Sequence, residues 1–258
     1  MLFNFYSYLN FLIKSTNKHG VHSPFVFDLV TKCFSSKTKT SDIEDYKKYY
    51  TALIQNKNEI KVTDFGAGSK VFKNNSRAIH KMAKHVGLNY KRAKLLIRFT
   101  SYFQFKNVLE FGTSLGLGTA AIHLGNPSSK ITTLEGCPTI SKFTKEQFDA
   151  FSFTNIDLIV GEFEKSLNTM KVQSPFDLIY FDGNHQRTAT LKYFDWALNH
   201  IHNETVFIFD DIHWSKEMEL AWEEIKLHPK VKITIDTYQW GFVFFRKEQE
   251  KEHFTIRV

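Results

Sequence analysis

Acidic residues and glycines follow several short apolar runs in the second half of the chain, and they are suited to hold a polar ligand. A glycine lets a ligand approach the backbone because it has no Cβ, and a carboxylate accepts hydrogen bonds from hydroxyl and ammonium groups. The ends of the runs read, in chain order, Glu110-Phe-Gly112-Thr113-Ser114-Leu-Gly116, Glu135-Gly136, Gly161-Glu162, Asp182-Gly-Asn-His185 and Asp210-Asp211.

The first of these turns favours a cationic ligand over a dinucleotide. Its glycines stand at positions 112, 116 and 118, so the G-x-G-x-x-G pattern of dinucleotide-binding turns is absent. The carboxylate of Glu110 would repel a pyrophosphate, whereas it would attract an ammonium group. The alternative is a turn whose glycines serve only the geometry of the backbone.

Three other acidic or imidazole side chains are candidates for binding a ribose, accepting a proton or contacting an acceptor. Glu135 follows Glu110 by 25 residues, and an acid at the end of a second strand accepts both hydroxyls of a ribose; otherwise it is an ordinary exposed acid. His185 titrates near neutrality and is a candidate base for a hydroxyl proton, or it only contacts a cofactor. His213 and Trp214 are further candidates for acceptor contacts.

Alternating strands and helices from residue 106 onward predict the scaffold that positions these residues. Such alternation predicts an α/β fold with a doubly wound, mostly parallel sheet, and a ligand site beyond the carboxyl ends of its strands. The last two strands are separated only by Asp236–Gly241, so they are expected to form an antiparallel hairpin. The seven predicted strands are Asn107–Phe111, Ile131–Leu134, Ile156–Val160, Leu178–Phe181, Val206–Phe209, Val231–Ile235 and Phe242–Phe245.

Residues 1–105 are predicted to form a mainly helical extension, a lid that shapes the acceptor pocket, beside a ligand-binding domain at 106–258. Asp64–Ser69 is the segment that best matches a short D-x-G-x-G pattern. Helices rather than an acid-tipped strand follow it, so we interpret it as a loop that could close over a ligand. His19–Pro24 is interpreted as a turn before a helix.

The motifs together resemble those of class I S-adenosylmethionine-dependent methyltransferases, over residues 106–247. The runs that are similar are Val108–Gly116, Thr132–Glu135 and Phe176–Asp182. The resemblance implies that S-adenosylmethionine binds with its ribose on Glu135 beside Gly136, and that Asp182 lies near the sulfonium and the acceptor. It also places Gly161 and Glu162 near the adenine, and it surrounds the methionine part with Glu110, Gly112, Thr113, Ser114 and Gly116.

A narrower resemblance is to the cation-dependent O-methyltransferases of the catechol and caffeoyl-coenzyme A type. It implies that Asp182, Asp210 and Asp211 hold Mg²⁺, which suits such oxygen ligands, and that His185 stands where those enzymes have a lysine base. Those enzymes have an asparagine where this chain has Asp211. The site could therefore lack a metal, and Asp210 or Asp211 could cap the next helix instead.

The composition limits the partners of the chain. The net charge is +7 and the pI is 9.2, which permits attraction to acidic partners. The chain has no tract of basic residues of the kind that would indicate nucleic-acid binding. Two cysteines without metal-type spacing indicate reduced thiols and a cytoplasmic protein. The apolar segment Met1–Ile13 is too short to span a bilayer; it either docks on its own domain, which we favour, or lies on a membrane or a partner. The sequence leaves a homodimer open.

We expect an enzyme of EC class 2.1.1 that methylates an oxygen of a small molecule. A nucleic-acid or protein methyltransferase is the first alternative, although the residues Asp182 to His185 differ from the Asn/Asp-Pro-Pro-aromatic motif of enzymes that methylate base amino groups. A non-catalytic protein with a degenerate methyltransferase fold is the second. An NAD-dependent oxidoreductase is disfavoured by the missing glycine pattern.

Overall fold

The computed structural model describes residues 2–63, 75–85 and 87–258, with helices and strands alternating over most of the chain. The predicted loop Asp64–Ser69 lies outside these residues. The α-helices within them are α1 (Leu2–Lys14), α2 (Pro24–Asp28), α3 (Thr40–Gln55), α4 (Ile79–His85), α5 (Tyr90–Phe103), α6 (Leu117–Gly125), α7 (Pro138–Ala150), α8 (Phe163–Thr169), α9 (Arg187–Ala197) and α10 (Lys216–Leu227). A short 3-10 helix, Lys18–Gly20, and a π-helix, Leu29–Phe34, complete the helices of these residues. The strands are β1 (Glu59–Lys61), β2 (Ser76–Ala78), β3 (Asn107–Phe111), β4 (Lys130–Glu135), β5 (Ile156–Val160), β6 (Leu178–Phe181), β7 (Val206–Asp210), β8 (Ile233–Asp236), β9 (Trp240–Phe244) and β10 (Glu252–Thr255).

The predicted α/β class and mostly parallel sheet are confirmed. β3 to β10 form a sheet of eight strands, and β1 pairs with β2 in a separate antiparallel pair, as counted over the described residues. The chain divides into two compact units, which we call the central unit, Ser36–Lys171, and the terminal unit, Met1–Ser35 with Val172–Val258. These units differ from a division at residue 105, which stays a prediction.

In the central unit β4 pairs in parallel with β3 on one side and with β5 on the other. The apolar residues of β3 are fully buried, as a strand covered on both faces requires. Since the three strands run in one direction, their carboxyl ends meet at one edge. Glu110, Glu135 and Gly161 are therefore brought to the same edge of this unit.

The terminal unit has a mixed sheet. β6 and β7 are parallel, and β9 runs antiparallel to both β7 and β8. The predicted hairpin between the last two predicted strands is thus present as β8 and β9. β10 was not predicted, because Glu252–Thr255 has no apolar run; it pairs in parallel with β8 at the edge of the sheet.

Helix α1 docks on its own unit, as the sequence analysis favoured. Phe11 is buried, and the Tyr238 hydroxyl donates to the Asn4 carbonyl at 3.0 Å. The segment before α2 is the expected turn, since Ser23 Oγ accepts from the Val26 N–H at 3.5 Å and so caps the helix. None of the helices within residues 2–63, 75–85 and 87–258 has the length and hydropathy needed to cross a membrane.

Candidate functional site

The turn after β3 has an unusual backbone that ties it to β4. Gly112, Ser114 and Gly116 all have positive φ, at 94°, 48° and 73°. The N–H groups of Gly112 and Thr113 both donate to the Leu134 carbonyl, at 2.9 and 3.1 Å. A turn held in this way presents a fixed backbone surface at the carboxyl edge of β3 and β4.

Packing explains Gly116. A Cβ at this position would lie 2.4 Å from the Phe148 ring and 2.8 Å from the Tyr49 hydroxyl oxygen. That hydroxyl donates to the Leu115 carbonyl at 2.8 Å. The missing side chain is therefore required by α3 and α7, and a ligand contact at Gly116 stays a prediction.

Glu110 lies in the interior, with 1% of its surface exposed. Its Oε2 accepts from the Thr119 hydroxyl and, at 2.6 Å, from the Thr133 hydroxyl. Burial raises the pKa of this carboxyl to about 7, while the two hydroxyl donors oppose the rise. Thr113 Oγ1 lies 2.6 Å from Thr133 Oγ1. Glu110 thus ties β3 to β4 and α6, and its direct contact with a methionine ammonium stays a prediction.

Glu135 is the residue that joins two of the predicted motifs. Its Oε2 accepts from the Ser114 N–H at 2.9 Å, and its Oε1 accepts from the Cys137 N–H at 2.9 Å. The side chain is only partly buried. Each carboxylate oxygen has two lone pairs, so a vicinal diol could still donate to this group. Thr119, Thr133 and Cys137 were missed by sequence reasoning because hydroxyls and backbone N–H groups have no pattern that marks such contacts.

The end of β5 adjoins this place. The Gly161 N–H donates to the Glu135 carbonyl at 2.9 Å, and Gly161 has a φ of 149°. Glu162 is exposed, and its Oε1 accepts from Lys165 Nζ at 3.0 Å within the first turn of α8. Gly136 is partly exposed beside Glu135. The central unit thus gathers the predicted residues from Gly112 to Gly161 around Glu135, while their contacts with a nucleoside stay predictions.

Asp182 and His185 lie near each other in the terminal unit. Nε2 of His185 is 4.0 Å from Oδ1 of Asp182, and both side chains are partly exposed. The Tyr180 hydroxyl donates to Asp182 Oδ2 at 3.2 Å. A carboxylate beside an imidazole stabilises its protonated form, so the pair could accept a hydroxyl proton.

The three aspartates implied for Mg²⁺ are not arranged as a set of metal ligands, and their role stays a prediction. Asp210 is buried and its Oδ1 accepts from the Asp211 N–H at 2.8 Å. Within the described part of the chain, which includes all three aspartates, no group of three or more His, Cys, Asp or Glu side chains is arranged to hold a metal. The helix-cap alternative is wrong, because Ser215 caps α10, its Oγ accepting from the Met218 N–H at 3.2 Å.

His213 has a structural environment that the sequence did not reveal. Its Nδ1 lies 2.7 Å from Glu219 Oε1, and its Nε2 lies 2.9 Å from Asp236 Oδ2. Burial alone would lower the pKa of His213, but the two carboxylates outweigh it and raise the pKa. Ser7 Oγ of α1 lies 3.2 Å from Nδ1. Both ring nitrogens are thus engaged inside the unit, and an acceptor contact by His213 or Trp214 stays a prediction.

Comparison with known proteins gives one family match, which spans several of the predicted site residues. Residues 109–212 match a family described as a methyltransferase domain, a stretch that includes Glu110, Glu135, Asp182 and Asp210. No curated protein matches the chain significantly.

The chain is also similar to solved structures of methyltransferases. The SAH-bound methyltransferase PaMTH1 of Podospora anserina is 15% identical with a TM-score of 0.61, covering 88% of this chain and 97% of that one. The O-methyltransferase TomG of Streptomyces achromogenes, in complex with SAM, is 13% identical with a TM-score of 0.57, covering 84% and 95%. An O-methyltransferase of Bacillus cereus in complex with SAH is 18% identical with a TM-score of 0.55, covering 84% and 94%. The fold shared with these structures extends over most of this chain, beyond the stretch that the domain match covers.

Proposed function

We propose that this chain is an S-adenosylmethionine-dependent methyltransferase of EC class 2.1.1 that methylates an oxygen of a small molecule. The observation that supports it most directly is Glu135, whose carboxylate is braced by the Ser114 and Cys137 N–H groups at the edge of the central unit. A cytoplasmic location is part of the proposal, supported by the two buried cysteine thiols, Cys33 and Cys137.

The residues of the central unit fit the cofactor. Glu135 is partly exposed and fixed in orientation, so it can accept both ribose hydroxyls without rearranging. The turn of positive-φ residues from Gly112 to Gly116 gives a backbone surface beside it. When bound, S-adenosylmethionine supplies an electrophilic methyl group on a sulfonium.

The terminal unit supplies the acid–base chemistry of the proposal. An alcohol or phenol acceptor must lose its proton as its oxygen takes the methyl group and the methyl–sulfur bond breaks, and we assign that proton to the imidazole of His185. The imidazolium that results is stabilised by Asp182, 4.0 Å away.

The test of the proposal is the thermal shift produced by S-adenosylhomocysteine, with NAD as the control ligand. A ligand at 100 times its Kd stabilises the folded state by about 2.7 kcal/mol. We expect a shift with S-adenosylhomocysteine and none with NAD. Glu135→Ala should lose most of the shift, measured from its own unliganded Tm, because it removes the ribose acceptor.

Glu146→Ala is the matched control, since Glu146 is an exposed glutamate on α7 of the same unit. It should keep the full shift. A shift with NAD alone, or an undiminished shift in Glu135→Ala, would contradict the proposal.

A further inference from the structure

Helix α1 presents an apolar stripe on its outer surface. At 100° per residue, Phe5, Leu9, Ile13 and Tyr6 fall within an arc of about 100°. Their exposed fractions are 60%, 39%, 84% and 65%. We call these four residues the α1 stripe. An exposed apolar surface of this kind marks an interaction site more often than an isolated exposed side chain does.

The opposite face of α1 holds the helix in place. Ser7 and Phe11 are buried, and the Ser7 hydroxyl donates to Glu219 beside His213. The rings of Tyr8 and Phe11 contact Tyr238, with centroids 4.8 and 5.5 Å apart. Because one face is anchored by these contacts, the α1 stripe stays turned outward.

The charged side chains of α1 and of the segment that follows it have one sign. Residues 1–27 contain no aspartate or glutamate, Lys14 follows the stripe directly, and Lys18 lies in the segment after α1. The whole chain has a net charge of +7. An anionic surface is therefore attracted to this end of α1, and such attraction adds to apolar insertion at anionic lipid membranes.

The size of the stripe argues against a second copy of the chain as its occupant. A buried aromatic side chain covers ~150–250 Å², so four partly exposed side chains offer roughly 400–500 Å². A stable dimer buries ~800 Å² on each partner. An interfacial helix needs only one apolar face and a cationic flank.

We propose that the α1 stripe inserts into the surface of an anionic lipid bilayer, with Lys14 and Lys18 at the headgroups. The helix is fixed to Glu219 and Asp236 through Ser7 and His213. Asp236 ends β8, whose direction is that of β7, so docking brings the carboxyl ends of these two strands toward the lipid. Peripheral membrane binding of this kind goes beyond the proposed methyl transfer.

Vesicle cosedimentation of the full chain tests the proposal. The probes are vesicles of phosphatidylcholine alone and of phosphatidylcholine with an equal part of phosphatidylserine. We expect binding to the anionic vesicles that weakens at high salt. Phe5→Ser with Ile13→Ser should weaken it at least about tenfold, because the apolar area to be buried is lost. Lys14→Glu with Lys18→Glu should weaken it about tenfold or more on anionic vesicles.

Leu227→Ser is the matched control, because Leu227 is 74% exposed in the same unit but lies on α10. It should bind vesicles like the unmodified chain. If the stripe variant does not fold, as judged by circular dichroism, the lysine variant decides, since both lysines are exposed.

Two results would overturn the inference. One is an unmodified chain that does not sediment with anionic vesicles. The other is a dimer in sedimentation velocity that the stripe variant converts to a monomer, which would make a second copy the occupant. The thermal shift with S-adenosylhomocysteine is measured on the same samples, so failure of the proposed function is seen separately from failure of membrane binding.

Discussion

At the scale of single residues, the most informative side chain is Glu110. The sequence marks it as a ligand-facing carboxylate, but the structure buries it against Thr119 and Thr133. A buried carboxyl that binds two hydroxyl donors fixes the elements around it, so its protonation is linked to the stability of the fold.

Glu110→Gln should change the pH dependence of stability. The pKa of Glu110 is raised from 4.5 to about 7 in the folded chain. The folded state thus binds more protons than the unfolded state between these values, and this carboxyl lowers stability by about 3 kcal/mol as pH rises from 4.5 to 7. Glutamine does not titrate, so the variant should lack this loss.

Urea unfolding at a series of pH values measures the effect. Glu146→Gln, at an exposed position, is the control and should follow the unmodified chain. Parallel curves for Glu110→Gln and the unmodified chain would show that Glu110 is not a buried titrating group.

At the scale of elements, the main finding is how α1 is attached. The loop after β7 and the end of β8 hold it through His213, which lies between Glu219 and Asp236 and is stacked on the Tyr238 ring. Two carboxylates around one imidazole favour its protonated form, so the attachment depends on the charge of His213.

The attachment of α1 should weaken above neutral pH. The pKa of His213 is raised above its ordinary 6.5. The stabilisation from its protonated form is therefore complete below pH 6.5 and is lost as pH rises through the raised pKa. Amide hydrogen exchange, corrected for the intrinsic rate, should show lower protection of α1 at alkaline pH.

His213→Gln is the test of cause. Its α1 amides should be less protected than those of the unmodified chain near pH 6 and should show no pH-dependent step. A step that persists in this variant would assign the effect to another group, such as Tyr238, whose pKa is also raised, mainly by burial.

At the scale of the whole molecule, the fold is shared with methyltransferases while the metal arrangement of the narrower resemblance is missing among the described residues. Oδ1 of Asp210 accepts a hydrogen bond from the Asp211 N–H, and Asp211 has a positive φ of 53°.

We accordingly expect that Mg²⁺ neither binds to the chain nor changes its thermal stability. Titration calorimetry should give no binding heat for Mg²⁺, and the thermal shift with S-adenosylhomocysteine should be the same in EDTA and in Mg²⁺. The Asp210→Asn variant should likewise show the same thermal shift with S-adenosylhomocysteine in EDTA and in Mg²⁺. A Mg²⁺ binding heat that Asp210→Asn abolishes would restore the metal site.

The sequence by itself determined the architecture of the sheet. β3, β5 and β6 have the bounds that their apolar runs predict, and the short link Asp236–Gly241 required the hairpin of β8 and β9. Such features follow from local periodicity and loop length, which act over a few residues. β10 was not predicted because three of its four residues are polar and because it pairs with β8, which is not its neighbouring strand in the chain.

Only the tertiary structure decided the role of each polar side chain. Glu110 and Glu135 look alike in sequence, as single acids at strand ends, yet one is buried against threonines and the other is partly exposed beside the Ser114 turn. His213 likewise meets Ser7, which lies 206 residues away. Hydrogen bonds between residues so far apart along the chain depend on how the elements pack, and no local pattern records that packing.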